Sequence, residues 1–417
     1  MAGFNTVVRY RLPPLVVVTL LGTSSGLPLI LAGGTLQAWL KGERVGLEWI
    51  GLFALSGTPY LFKFLWAPLL DRFHPPFGGR RRGWIVLMVL ALMATFGLLA
   101  HCHPTTGLWP MALLALLAAF FSASADINID ALRVELLPPR LAGLGASLHW
   151  TGLRMAMLGG AALALALSDR VPWRTVYLVM LLGLLPGAVA ALLAPEPEAA
   201  PPPRTLRDAA LGPFTAFFGR PRALEVLAFM LLFKLGDSLA SALNIPFLMD
   251  VGFSRSEIAV ATQTFGLGAL LVGGVAGGWL LNRYPLPRML GLMGGLQVLG
   301  MVATAALARG GRSPALMVLV MVLENSIYAM GMVAQLALIQ RLCDPGRAAT
   351  QFAFLTCLSA LSRVLFATPA GLLAQRLGWP AFFLLCAALA LPGLLLLTRY
   401  RRWHLPSPVP RRNRSAP

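Results

Sequence analysis

The sequence predicts an all-α membrane protein built as two halves of six spanning helices. Three observations predict it: the composition, the spacing of the apolar runs, and a proline-rich break in mid-chain. Hydrophobic residues make up 57% of the 417 positions and charged residues 12%, with mean hydropathy +0.74. So few charges cannot cover the surface of a soluble chain of this length. A spanning helix needs about 20 mostly apolar residues. Polar breaks delimit twelve such runs, near 12–40, 47–70, 84–101, 109–132, 142–167, 173–194, 223–249, 257–281, 287–308, 313–340, 348–375 and 379–398. The longest polar connection, 195–222, opens with Pro195-Glu196-Pro197-Glu198 and Pro201-Pro202-Pro203. No helix interior holds that many prolines, so it reads as a stiff spacer. It separates an N-terminal half (1–194) from a C-terminal half (223–398), and a basic tail (399–417) follows.

The net charge of +18 is a topology signal. Of 34 Lys and Arg, 22 lie in the N-terminal stretch, the even-numbered connections and the tail, against eight in the odd-numbered connections and four within spans. Excess basic residues mark cytoplasmic loops, so both termini are expected in the cytoplasm. Basic clusters such as Arg80-Arg81-Arg82 lack interleaved aromatics and suit loops, which argues against nucleic acid as a partner. The bilayer is the expected environment and the monomer the expected state. The first run follows a short basic stretch with no small-residue cleavage site, and reads as an uncleaved helix. Cys102, Cys343, Cys357 and Cys386 form no CxxC pair and read as buried small side chains.

Within the spans, punctuation is informative. Gly273-x-x-x-Gly277 and Gly274-x-x-x-Gly278 allow another backbone close to span eight. Pro28, Pro59, Pro68, Pro246 and Pro369 are expected to kink the runs they interrupt. The halves also resemble each other. Span two ends in Leu69-Leu70-Asp71-Arg72 and span eight in Leu280-Leu281-Asn282-Arg283; spans four and ten end at Arg133 and Arg341. Arg154 and Arg363 follow 21 and 22 residues later. Parallel halves of this kind commonly bind substrate between them near the midplane.

Eight ionisable residues lie inside the apolar runs: Lys63, Asp126, Asp130, Arg154, Lys234, Asp237, Glu324 and Arg363. Each costs about 2.5–3.5 kcal/mol to insert, so each is expected to face a partner or a wet cavity. A polar pathway through a bundle marks a transporter. Asp126 and Asp130, four apart, share a helix face, and two close carboxylates hinder each other's ionisation. They are candidates for proton coupling together with Glu324; Asp126 is the first choice, with Arg154 its expected partner if it serves structure alone. Lys234 and Asp237, three apart, either pair within the helix or serve substrate. Lys63, Arg154, Lys234 and Arg363 are expected to line the space between the halves and meet an anionic substrate. Ser238, Ser241, Asn244 and Gln263 continue a polar lining; Gln37, Asn325, Tyr328 and Gln351 complete the candidate substrate-binding set. The competing reading is four structural ion pairs that use up the four acids.

Catalysis has little to stand on. His101 and His103 have no accompanying ligand set, and no GxxxxGK[ST] sequence is present. No cofactor is expected beyond an ion gradient.

Particular runs resemble the AmpG-type muropeptide permeases of the major facilitator superfamily. They include Gly22-Thr23-Ser24-Ser25-Gly26-Leu27-Pro28-Leu29, Tyr60 through Phe73, Gly79-Arg80-Arg81-Arg82-Gly83-Trp84, and Ser122 through Ala131. Lys234-Leu235-Gly236-Asp237, Glu324-Asn325, Ala349-Thr350-Gln351-Phe352-Ala353 and Leu358 through Val364 follow in the same order. The resemblance covers roughly residues 10–398 and implies the major facilitator fold. It also implies proton-driven import of anhydro-disaccharide cell-wall fragments across the bacterial inner membrane, with a use for the four buried cations against stem-peptide carboxylates. The chain departs from that family at Ala125 and at Tyr328-Ala329, where a bulkier side chain narrows the cavity. A siderophore or another small acidic metabolite is the alternative substrate. A non-transporting receptor or scaffold is the alternative class, opposed by the eight intramembrane charges.

Overall fold

The computed structural model describes residues 12–403, except 47–48, 50–52, 105–106, 139–140, 196–204, 345–346 and 368. Nine helices among the described residues are long and apolar enough to cross a membrane. They are span one (Pro14–Gly42), three (Arg80–His101), four (Leu108–Leu136), five (Ala142–Ser168), six (Trp173–Leu193), eight (Thr264–Arg283), nine (Leu286–Gly310), ten (Pro314–Leu342) and twelve (Trp379–Leu397). Span seven is a bent pair, Ala223–Ala242 and Asn244–Asp250, meeting at 43°. Span two is a chain of short turns ending in Ala67–Arg72, and span eleven begins with Ala348–Ala367. This fits the expected twelve, and no strand occurs among the described residues.

The breaks have local causes. Span one is interrupted at Gly33, five residues after Pro28. Pro28 lacks the N–H that would bond the carbonyl four residues back. Span two changes pitch at Pro59 and Pro68, and span seven breaks at Leu243, three residues before Pro246. The loop before span three turns through Gly78 and Gly79, both at positive φ (74° and 84°), a conformation a side chain would resist.

Close packing follows the small residues. A Cβ on Gly22 or Gly26 would run into the backbone carbonyls of His149 and Leu153, so spans one and five lie against each other. The span-eight glycines serve two neighbours rather than one. Gly273 and Gly277 face Ser326 and Met330 of span ten, while Gly274 and Gly278 face Trp150 and Ser147 of span five. The second pair is therefore a seam between the halves, where the Ser147 hydroxyl donates to the Gly274 carbonyl at 2.6 Å.

Apolar burial divides the same way. One core cluster lies in spans one to six, including Leu21, Leu92, Phe96 and Tyr177. Another lies in the C-terminal half around Phe247, Phe382 and Phe383. A third joins Leu70 and Ile127 to Phe217 of the linker and to Ala349 and Phe352 of span eleven. The two halves are thus sealed at the end that carries the linker. The linker is more than a spacer: Leu206–Phe218 is a helix, capped by the Thr205 hydroxyl accepting from the Asp208 N–H at 3.0 Å.

Candidate functional site

Lys63 sits where span two is wound most tightly, as a 3-10 turn over Lys63–Leu65. In that geometry residues three apart eclipse one another. Tyr60 on the preceding helical turn, Lys63 in the 3-10 turn and Trp66 at its end all reach span four. The Tyr60 hydroxyl donates to Ser122 Oγ (2.5 Å), Lys63 Nζ to Asp126 Oδ2 (2.7 Å) and Trp66 Nε1 to Ser124 Oγ (3.0 Å). Asp126 and Asp130 share a face, as their spacing predicts, and Lys63 serves both, with Asp130 Oδ2 at 3.9 Å. Arg133 Nη2 holds the other Asp130 oxygen at 3.0 Å and stacks its guanidinium over Phe352 of span eleven, 5.2 Å from the ring centre. Asp126 is therefore partnered by Lys63, not by Arg154. Arg154 lies instead over Trp150 at 5.2 Å, and its Nε has no hydrogen-bond partner among the described residues.

Below this cluster, at the linker end, lies a second network. Buried Arg81 bridges Asp71 (2.8 Å) and Glu135 (2.7 Å), and Arg80 reaches Glu135 at 3.2 Å. The second Asp71 oxygen accepts from both the N–H (2.9 Å) and the hydroxyl (2.7 Å) of Thr350, across to the C-terminal half. Gln340 donates to the Arg133 carbonyl at 3.2 Å. This corrects the reading of Arg80 and Arg81 as loop charges: they begin span three and are buried. The sequence shows Asp71 in a span ending that the other half echoes, but not its partner Thr350.

Two adjoining cavities lie in the C-terminal half. One of about 220 Å³ is lined by Lys234, Asp237, Ser238, Tyr328, Gln335 and Ser359, among others. A second, about 110 Å³, shares Asp237, Ser241 and Tyr328 with it and adds Asn244, Gln297, Glu324 and Asn325. Lys234, at the junction of two helical segments, pairs with Asp237 at 3.1 Å and lies 4.8 Å from the centre of the Tyr328 ring. The ring thus fills cavity space, as its size predicts. Asn325 Nδ2 turns back to the Met321 carbonyl at 2.8 Å.

Glu324 differs from the other intramembrane acids. Its Oε1 receives the Thr304 hydroxyl at 2.5 Å and its Oε2 the Asn244 amide at 3.3 Å. Among the described residues no cation pairs with it, and the side chain of Arg363, the remaining expected cation, lies outside them. Thr304 escaped the sequence reading. Its signal is the spacing from Gln297, seven residues or two turns along span nine, which puts both on the face toward Glu324.

Two expected site residues fall elsewhere. Gln37 is exposed on the helical segment Gly34–Gly42 and lines neither cavity. Gln351 is buried at the linker end, where it donates to Asp344 (3.1 Å) and to the Pro213 carbonyl of the linker helix (3.2 Å) and accepts from the Asp344 N–H (2.6 Å). The side chains of Arg363 and Gln263 lie outside the described residues. Of the four cations expected between the halves, Lys63 and Lys234 are buried against acids, and Arg154 is half-buried on Trp150.

The profile of the Major Facilitator Superfamily matches residues 15–367 and again 235–417. The anhydromuropeptide permease of Escherichia coli strain K12 is 41% identical over 391 residues, covering 93% of this chain and 80% of that protein. The chain belongs to the AmpG-type branch of the major facilitator superfamily. A putative transporter AmpG 4 of Rickettsia felis is 31% identical over 395 residues, covering 91% and 94% of the two chains. Among solved structures, a proton:xylose symporter superposes with a TM-score of 0.69 at 12% identity, over 93% of this chain and 95% of that one. A bacterial homologue of the iron transporter ferroportin, in an outward-facing state, gives 0.67 at 17% identity, over 93% and 98%. At such identities these likenesses establish the fold alone. The chain is thus a multi-pass membrane transporter and not an enzyme, of a superfamily whose members generally need no cofactor.

Proposed function

We propose that this chain is a monomeric, proton-coupled importer of anhydro-muropeptides in the bacterial inner membrane. The observation that carries this reading is the 41% identity to a protein named anhydromuropeptide permease over nearly the whole chain. The cavity chemistry agrees with it. Tyr328 offers an aromatic face for a sugar ring, Ser238, Ser241 and Gln335 offer hydroxyl and amide partners, and Lys234 offers a cation to a stem-peptide carboxylate. Lys63 and Arg154 are candidates for the same role from the opposite half, and Asp237, Asn244 and Asn325 for orienting polar groups.

The basic linker, even connections and tail support a cytoplasmic linker end. The contacts of Asp71 with Thr350 and of Arg133 with Phe352 then close the cytoplasmic side, the arrangement in which substrate enters from outside. A gradient moves substrate through such a site only if an acid exchanges a proton during the cycle; Asp126, Asp130 and Glu324 are the acids available. Labelled anhydro-disaccharide and a labelled ferric chelate are offered to proteoliposomes of the full chain under an imposed pH gradient. Accumulation of the sugar alone is expected. Accumulation of the chelate alone overturns the substrate assignment.

A further inference from the structure

The Thr304 hydroxyl lies between two acceptors. Its oxygen is 3.0 Å from the Gly300 carbonyl, one turn back on span nine, and 2.5 Å from Glu324 Oε1 on span ten. A hydroxyl has one proton to donate. If Glu324 is ionised, Thr304 satisfies either the carboxylate or Gly300, and the other contact has no hydrogen between its oxygens. If Glu324 is protonated, both bonds form: Glu324 Oε1–H donates to Thr304 Oγ1, and Thr304 Oγ1–H donates to the Gly300 carbonyl. The remaining Oε2 accepts from Asn244 Nδ2 in either state.

The surroundings favour the same state. From span seven the facing groups are Asn244 and Asp237, the latter paired with Lys234 at 3.1 Å. From span nine they are Gln297 and Thr304, and on span ten Asn325 and Tyr328. Among the described residues, the one charged group that shares this cavity is thus another acid, Asp237, already matched to its own cation. A lone carboxylate in such a place is costly, and neutralisation relieves it.

We propose that Glu324 carries the exchangeable proton of the transport cycle and that Thr304 is its positioning residue, the hydroxyl that reverses direction as the proton comes and goes. This rests on the proton-coupled reading above. On release, the Oε1–H proton passes to cavity water, the Thr304 hydroxyl turns from Gly300 to the carboxylate, and Gly300 keeps its helical N–H partner. Neither Gly300, Thr304 nor Glu324 is stranded in either state. Asp126, in contrast, is neutralised by Lys63 at 2.7 Å and needs no proton.

The test is infrared difference spectroscopy of the full-length protein in liposomes, recorded between acid and alkaline pH without substrate. A protonated-carboxyl C=O band is expected in the wild type and is lost in Glu324→Gln. It persists in Asp126→Asn, shifts in the isosteric Thr304→Val, and returns to its wild-type position in Thr304→Ser. Glu324→Gln is also expected to lower pH-gradient-driven accumulation of labelled anhydro-disaccharide at least tenfold. A band that survives Glu324→Gln, or disappears in Asp126→Asn, overturns the assignment to Glu324. A band unmoved by Thr304→Val overturns the role of Thr304. Because the spectra need no substrate, a wild type that shows the band but fails to take up the sugar refutes the substrate reading and leaves the proton site standing.

Discussion

The two halves share a fold but not an electrostatic design. In the N-terminal half each acid of span four is held by a cation: Asp126 by Lys63, and Asp130 by Arg133 with Lys63 nearby. In the C-terminal half Asp237 has Lys234, while Glu324 has, among the described residues, a hydroxyl and an amide. Their depths differ too. Asp126 precedes the span-ending Arg133 by seven residues and Glu324 precedes Arg341 by seventeen (133 − 126 and 341 − 324). At 1.5 Å per residue that places Glu324 about 15 Å farther from the linker end. One half fixes its charges beside the closed gate, and the other keeps an acid free of cations deep in the cavity. On the proposal above, a duplicated architecture divides its tasks, gating in one half and titration in the other.

The largest expected effect tests the fixed charges. Lys63→Met leaves the part-buried Asp126 without its cation, and breaking a fully buried pair of this kind costs about 3–5 kcal/mol, an upper bound here. Thermal unfolding in detergent reads that loss, and Lys63→Met combined with Asp126→Leu should recover most of it. A single variant as stable as the wild type would show that the N-terminal pair is as replaceable as a surface contact. That outcome breaks the contrast between the halves.

A smaller effect is expected at the gate. Thr350→Val removes the hydroxyl bond to Asp71 and keeps the backbone N–H bond. A hydrogen bond to a charged group contributes about 1.5–3 kcal/mol. Spin labels at the linker ends of spans two and eleven should then report a larger separated population. An unchanged distance distribution means that the apolar seal around Phe352 and Leu70 holds the end closed by itself.

Gly278→Ala and Gly277→Ala compare the seam between halves with packing inside one half. The first adds a methyl group against Ser147 of the other half, the second against Met330 of the same half. Overpacking costs about 1–3 kcal/mol in either place. Only the first is expected to move the distance between the spin labels.

The smallest effect lies outside the membrane, at Glu257 in the turn before span eight. The Ser254 N–H, the Arg312 guanidinium at 2.8 Å and the Ser254 hydroxyl hold its carboxyl below the usual carboxylate range. A depressed value means that its contribution to stability is present above the unfolded value and fades as pH falls through the folded one. Glu257→Gln should leave unfolding at neutral pH nearly unchanged and flatten the acid limb slightly. A large loss at neutral pH would show that this exposed cap matters more than its setting suggests.

Hydropathy made the bundle legible because each spanning run must satisfy its own backbone in lipid. Helical periodicity placed Asp126 and Asp130 on one face, and spacing paired Lys234 with Asp237. What stayed hidden depends on contacts between distant parts of the chain. Lys63 and Asp126 are 63 residues apart, and nothing local announces their pairing. Gln351 was drawn toward the cavity by its place in a recurring run, whereas it fastens the linker helix. Arg80 and Arg81 read as solvated because hydropathy cannot distinguish a loop from a first helical turn lying under Glu135. Thr304 stayed silent because a threonine in an apolar helix ordinarily bonds its own backbone, as this one also does.

The linker helix changes where the chain is best divided. Arg347 donates to the Gly212 carbonyl at 3.0 Å, Gln351 to the Pro213 carbonyl, and Arg220 pairs with Asp344 at 2.6 Å. These bonds tie Leu206–Phe218 to the C-terminal half. For a gene split into two co-expressed fragments, the natural cut therefore falls before Thr205. A cut after Arg222 would keep the packing of the helix on Ala67–Arg72 but leave Arg347 and Gln351 to find it again across a diffusing interface.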